Sequence, residues 1–170
     1  MYARAFFSEN LADAVTVSPY MGYDTVGPFL QYEGKWAVVL ALTSNPSAAD
    51  FELQRMEDGG YLYEKVIDTA CGWGTTDNLM FVVGATQAKM LRGISRLIPN
   101  HFLLVPGVGV QGGSLEEVAR YGMNGRCGLL VNSSRGIIYA DSTERFAEAA
   151  AEKSAELAAE MAGLLDSYLK

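Results

Sequence analysis

The stretch Phe102-Leu-Leu-Val-Pro-Gly-Val-Gly-Val-Gln-Gly-Gly-Ser-Leu-Glu-Glu117 carries three signals in succession. Phe102 to Val105 is an apolar run of strand length. Pro106 to Gly113 holds four glycines, Gly107, Gly109, Gly112 and Gly113, which let backbone N–H groups approach an anion without a Cβ in the way. Ser114-Leu-Glu-Glu117 has the S-x-x-E form that starts a helix, here running through Ala119 and Tyr121 and closed by Gly122. Strand, glycine loop and helix start in that order predict a βα unit. The loop has the composition of a phosphate cradle, and equally that of a plain structural turn.

Four more apolar runs surround this unit: Ala14-Val-Thr-Val-Ser18, Trp36-Ala-Val-Val-Leu-Ala-Leu42, Leu79-Met-Phe-Val-Val83 and Gly128-Leu-Leu-Val131. Continuous apolar runs, in place of alternation, are what parallel strands covered by helices require. Between them, Ala85 to Ile98 sets Ala88, Leu91, Ser95 and Ile98 at spacings of three and four, the stripe of an amphipathic helix. Ala48 to Gly74 predicts one or two helices parted around Asp58-Gly59-Gly60. Ser142 to Leu169 repeats Phe146, Ala150, Leu157, Met161, Leu164 and Tyr168 at near-helical intervals and predicts a long last helix. Five strands alternating with helices make an α/β chain. With no Pro/Ser-rich linker, charge block or fixed-period repeat, residues 1–170 are read as a single domain.

Composition narrows the function. A chain of 170 residues buries roughly 70% of the surface it exposes when unfolded, and 49% hydrophobic residues with a mean hydropathy of +0.08 are those of a folded globular protein. Thirteen Lys and Arg against twenty Asp and Glu give a net charge of -7, which lacks the electropositive footprint of a nucleic-acid binder. Cys71 and Cys127 form no C-x-x-C pair and His101 is the single histidine, so no zinc-type ligand set is expected; the cysteines read as small buried hydrophobes. No apolar run approaches the length of a bilayer span and Met1 to Phe7 has no basic leader, so the expectation is a soluble, cytoplasmic protein with no membrane partner.

Parallel α/β proteins bind ligands beyond the carboxyl ends of their strands. Those ends are Ser18-Pro-Tyr-Met-Gly22, Thr43-Ser-Asn-Pro46, Gly84-Ala-Thr86, Pro106 to Gly113 and Asn132-Ser-Ser-Arg-Gly136, all rich in Gly, Pro, hydroxyl or amide groups. The strand starts follow Asp13, Lys35, Asn78, His101 and Arg126, unexceptional solvent-facing types, and His101 falls at the end away from any site. Arg135 offers a planar guanidinium that can grip a phosphate with two prongs, or is a loop cation facing solvent. Thr43-Ser44-Asn45 can hydrogen-bond the polar edge of a flat heterocycle, or cap a helix. Ser18 to Gly22 is a tight turn that either lines a pocket wall or simply turns.

Pro106-Gly-Val-Gly-Val-Gln-Gly-Gly113 followed by Asn132-Ser-Ser-Arg-Gly-Ile-Ile-Tyr139 resembles the signature pair of the orotidine 5'-monophosphate decarboxylases. Asp13-Ala-Val-Thr-Val-Ser-Pro-Tyr-Met-Gly22 and Leu42-Thr-Ser-Asn-Pro46 fit the same family in the same order, across the whole chain, and are most similar to its longer bacterial branch. The resemblance implies a TIM (β/α)8 barrel of which this chain carries the C-terminal part: about five parallel strands, the fourth to the eighth, with unpaired edges. It implies a carboxy-lyase of pyrimidine biosynthesis that uses no cofactor or metal, converts orotidine monophosphate to uridine monophosphate and CO2, and is typically a homodimer.

By the same resemblance Gln111 and Arg135, with Gly112 and Gly136, bind the 5'-phosphate. Ser44 contacts the pyrimidine edge, Pro106 and Val108 flank the base, and Asn45 and Pro19 complete the base and ribose pocket. The family's catalytic Asp/Lys array would precede Met1. Lys35, Lys65, Lys89, Lys153 and Lys170 do not fall where an ammonium could stabilise and then protonate a C6 carbanion. The chain is therefore expected to supply phosphate and base binding, with no catalytic residue of its own. Two other readings stand beside this one: another phosphate-binding barrel, such as a sugar-phosphate epimerase or isomerase, and a non-catalytic nucleotide-binding fragment or assembly partner.

Overall fold

The computed structural model describes residues 1–8, 11–109 and 112–169. Five strands, β1 (Ala14–Val17), β2 (Trp36–Leu42), β3 (Leu79–Val83), β4 (Phe102–Pro106) and β5 (Leu129–Asn132), form one sheet. They lie in the order β1-β2-β3-β4-β5, every neighbouring pair parallel. Sequential order with no reversal is the winding of a (β/α)8 barrel, and the described residues hold five strands of one. A doubly wound sheet would reverse its order at a switch point.

Each strand divides its residues between two faces, as a two-residue period demands. Ala37, Val39 and Ala41 of β2, Leu79, Phe81 and Val83 of β3, and Leu103 and Val105 of β4 point outward into the main core. That core is closed by Phe7 of α1 (Tyr2–Phe7), Val26 of α2 (Tyr23–Val26), Ile67 and Ala70 of α3 (Leu62–Cys71), Leu91 and Ile94 of α4 (Ala88–Leu97) and Leu115 and Val118 of α5 (Leu115–Gly122). Val38, Met80 and Val82 point inward and form a second, smaller apolar layer with Trp36, Leu40, Phe102 and Leu104. Burial on both faces explains why β2 and β3 read as unbroken apolar runs. The edge strands differ: in β5 the inward-facing Leu130 is 51% exposed.

The helices follow the sequence pattern with informative departures. The run beginning at Ala85 opens with a 3-10 turn, Ala85–Gln87, before α4. On that helix Ile94 faces the core, while Ser95 donates its hydroxyl to the Tyr121 carbonyl at 3.0 Å. Ser114 caps α5 by accepting from the Glu117 N–H at 3.3 Å. Gly122 does not close that helix by a left-handed turn; it stays helical where a side chain would press on Leu129 and Leu91. The last helix runs from Phe146 to Tyr168, four residues later than its pattern suggested, and packs on the rest through Leu157, Met161 and Leu164. Among the described residues no helix is long and apolar enough to cross a membrane.

Three expectations about single residues change. Cys71 and Cys127 are only half-buried, packed against the margin of the core, and Cys127 adopts a left-handed backbone with φ of 72°. Lys35 is not solvent-facing: its side chain is only 12% exposed and pairs with Asp13 at 2.9 Å. His101 is half-buried, its ring edge-on to Phe81 at 5.8 Å and its Nε2 buried without a partner.

Candidate functional site

At the carboxyl end of the sheet, a cavity of about 650 Å³ opens between the loops that follow β2, β4 and β5. Ser44, Pro106, Val108, Gly112, Arg135 and Gly136 all line it, joined by Thr43, Asn132, Ser133 and Tyr139. Val82 and Pro106 bring the inner apolar layer to its floor, because both stand on the inward face where their strands end. The lining thus grades from hydroxyls after β2, over an apolar middle, to a guanidinium after β5.

The glycine loop after β4 is folded on itself. Gly107 donates its N–H to the Asn132 carbonyl at 3.1 Å, Gly112 to Gly109 at 2.8 Å and Gly113 to Gly107 at 2.9 Å. Gly107 lies at φ 87°, and a Cβ on Gly112 would collide with the Gly107 carbonyl. These N–H groups hold the loop closed and are not free for an anion, so the glycines serve shape where the sequence suggested a cradle. Val110 and Gln111 lie outside the described residues, and with them the position expected of Gln111.

The loop after β5 provides the open donors. Asn132 leads through Ser133 into α6 (Ser134–Ile138), whose first N–H groups have no intrahelical acceptor. Arg135 sits in that first turn, exposed, and none of the ion pairs among the described residues involves it. It is the one charged residue among the described lining residues. The Ser133 hydroxyl stands beside both Gly109 and Gly136, where side chains would crowd it, so the two loops meet through a serine and two glycines.

Two expected residues lie apart. Asn45 does not line the cavity; its side-chain oxygen is 2.6 Å from the Thr43 hydroxyl. Pro19 belongs to a turn closed by the Gly22 N–H on the Pro19 carbonyl at 2.8 Å, and is not in the lining either. In the other direction, Tyr139 lines the cavity although no motif assigns it a role; its place there depends on how the chain turns after α6, which no spacing announces. Thr43, read with Ser44 and Asn45 as a group able to bond the edge of a heterocycle or cap a helix, is in the lining too.

A profile described as the orotidine 5'-phosphate decarboxylase / HUMPS family matches residues 1–150. The chain belongs to this family. The orotidine 5'-phosphate decarboxylase of Bacteroides fragilis is 56% identical over 169 residues, which are 99% of this chain and 62% of that protein. That of Porphyromonas gingivalis is 61% identical over 151 residues, 89% of this chain and 55% of the relative. Among solved structures, Leishmania donovani OMP decarboxylase superposes with a TM-score of 0.77 at 36% identity, covering 93% of this chain and 60% of its own. Leishmania donovani UMP synthase gives 0.79 and 39%, covering 93% of this chain and 35% of its own. The chain therefore spans less than two thirds of the length of each of these decarboxylases.

Proposed function

We propose that this chain is the phosphate- and base-recognising part of an orotidine 5'-monophosphate decarboxylase. The observation that carries the reading is a single cavity lined by Arg135 after β5 and Ser44 after β2, with Val82, Pro106 and Val108 also in its wall. Three strand spacings separate β2 from β5, roughly 14 Å along the sheet. Such a span suits a nucleotide, with the phosphate at one end and the base at the other, better than a small anion.

In this reading Arg135 and the first N–H groups of α6 hold the 5'-phosphate dianion. Gly112 and Gly136 let it approach, and Gln111 adds a further contact. Pro106 and Val108 face the flat sides of the base, and the Ser44 hydroxyl hydrogen-bonds its polar edge, where Asn45 and Pro19 play at most an indirect part. Phosphate binding far from the reacting carbon supplies energy that can be used there. The described lining contains no lysine and no carboxylate, so stabilising and protonating the C6 carbanion falls to groups outside it. A homodimer and a cytoplasmic location come with the family reading.

Calorimetric titration of uridine 5'-monophosphate tests this. Wild type binds it more tightly than uridine, and Arg135→Ala weakens it by about 50-fold, the scale of a lost charge-assisted contact. Equal affinity of wild type and Arg135→Ala for the nucleotide overturns the assignment.

A further inference from the structure

Ser44 presents its hydroxyl from the end of β2 without support from a helix, so something else has to hold that strand end in place. The chain leaves β2, passes through a 3-10 turn (Pro46–Asp50) and returns with Glu52. The Glu52 carboxylate accepts the Thr43 N–H at 2.7 Å and lies 2.9 and 3.0 Å from the Thr43 hydroxyl. Glu52 is itself tethered, because its carbonyl accepts the Tyr63 N–H at 3.0 Å, in the first turn of α3. On the other side Gly84, at the end of β3, leaves the room that Ser44 fills: a Cβ there would collide with the Ser44 hydroxyl. The Gly84 N–H also donates to the Leu42 carbonyl at 2.8 Å, continuing the sheet one residue further.

We propose that Glu52 is a positioning residue which, through Thr43, fixes the Ser44 hydroxyl at the base-recognising end of the cavity. The inference rests on the nucleotide reading of that cavity and adds a residue which the site lining does not include. Glu52 acts on the strand end through both groups of Thr43, so its effect reaches a ligand only where Ser44 touches one. It should be felt by the base and not by the phosphate.

The geometry also states which substitutions are tolerated. Thr43 offers one N–H and one O–H, and its hydroxyl is also 2.6 Å from the Asn45 side-chain oxygen. A hydroxyl has a single proton to give and can accept as well. A glutamine at position 52 would accept the Thr43 N–H with its oxygen and donate its NH2 to the Thr43 hydroxyl, whose proton then goes to Asn45. Every group stays paired, so Glu52→Gln keeps the clamp. Glu52→Ala removes it and strands the Thr43 N–H, a loss that in other proteins amounts to a factor of roughly ten.

The test compares uridine 5'-monophosphate with ribose 5-phosphate, which lacks the base, on the whole chain. Glu52→Ala is expected to weaken the nucleotide by about five- to tenfold and leave ribose 5-phosphate within twofold, while Glu52→Gln restores nucleotide affinity. Hydrogen exchange at the Thr43 amide should quicken in Glu52→Ala and return to the wild-type rate in Glu52→Gln. An unchanged nucleotide affinity in Glu52→Ala, or an equal loss for both ligands, overturns the positioning role. If ribose 5-phosphate binds wild type and Arg135→Ala equally, the phosphate reading fails instead. The Thr43 exchange rates then decide for or against the clamp by themselves.

Discussion

At the carboxyl end of the sheet, β2, β4 and β5 run out into hydroxyls, glycines and a guanidinium around open space. At the amino end the same strands start from polar groups already engaged with one another. Lys35 pairs with Asp13 at 2.9 Å, Arg126 with Asp77 at 3.4 Å, and the Asn124 amide donates to the His101 carbonyl at 3.2 Å. Asn78 accepts the Thr75 N–H at 2.7 Å and donates to the Leu30 carbonyl at 3.3 Å. Among the described residues, folding pairs these polar groups at the amino end, His101 Nε2 excepted, while at the other end Arg135 joins none of the ion pairs. On the proposed reading, one barrel section has a stability face and a binding face, even though both are made of loops.

Substitutions at the two ends should fail in different ways. The largest change in stability is expected at Gly113, where a Cβ would collide with the Ala85 carbonyl. Gly113→Ala should cost about 3 kcal/mol and lower Tm by roughly 10 °C in a thermal melt. Arg135→Ala, in the same loop cluster, should leave Tm unchanged while nucleotide binding weakens by about 50-fold, separating shape from recognition at one end of the sheet.

At the amino end the sensitivity is to pH. Burial pushes the His101 imidazole below its ordinary value, so the unfolded chain takes up a proton at a pH where the folded one does not. Stability is then full above the ordinary imidazole range and falls as the pH drops through it toward the folded value. His101→Phe, which keeps the edge-on contact with Phe81, should flatten that slope in denaturant titrations between pH 7.5 and pH 5. A slope that survives the substitution would place the titrating group elsewhere. The smallest effect belongs to Asp13→Asn: the partner carboxylate of Lys35 is itself almost fully exposed, and the change should stay under about 0.5 kcal/mol.

How much of this was legible in the residues follows from the same physics. The five strands are recovered to within about a residue at each end: β2 and β3, buried on both faces, must be apolar throughout, and β1, β4 and β5, less buried, still carry short apolar runs. The helices Tyr2–Phe7 and Tyr23–Val26, with α6, leave no mark, being too short to show a 3.6-residue period. The first of these is held by tertiary packing, with Phe7 against Phe29 at 5.9 Å and Tyr32 at 5.3 Å. At the cavity, Arg135 and Ser44 stood out because a strand end is where a ligand is sought. Glu52 did not, since it lies nine positions along the chain from the threonine it holds, beyond a 3-10 turn. The glycine loop was legible as a loop, but its use of its own N–H groups was not, since that depends on which carbonyl each one meets.

The most direct measurement is an amide chemical-shift map of the chain titrated with uridine 5'-monophosphate. The perturbed amides should cluster at residues 43–45, 107–109 and 132–136, while those of Lys35, Asn78, His101 and Arg126 stay still. Shifts centred on the amino-end residues, or none at residues 132–136, would contradict a nucleotide site at the carboxyl end of the sheet.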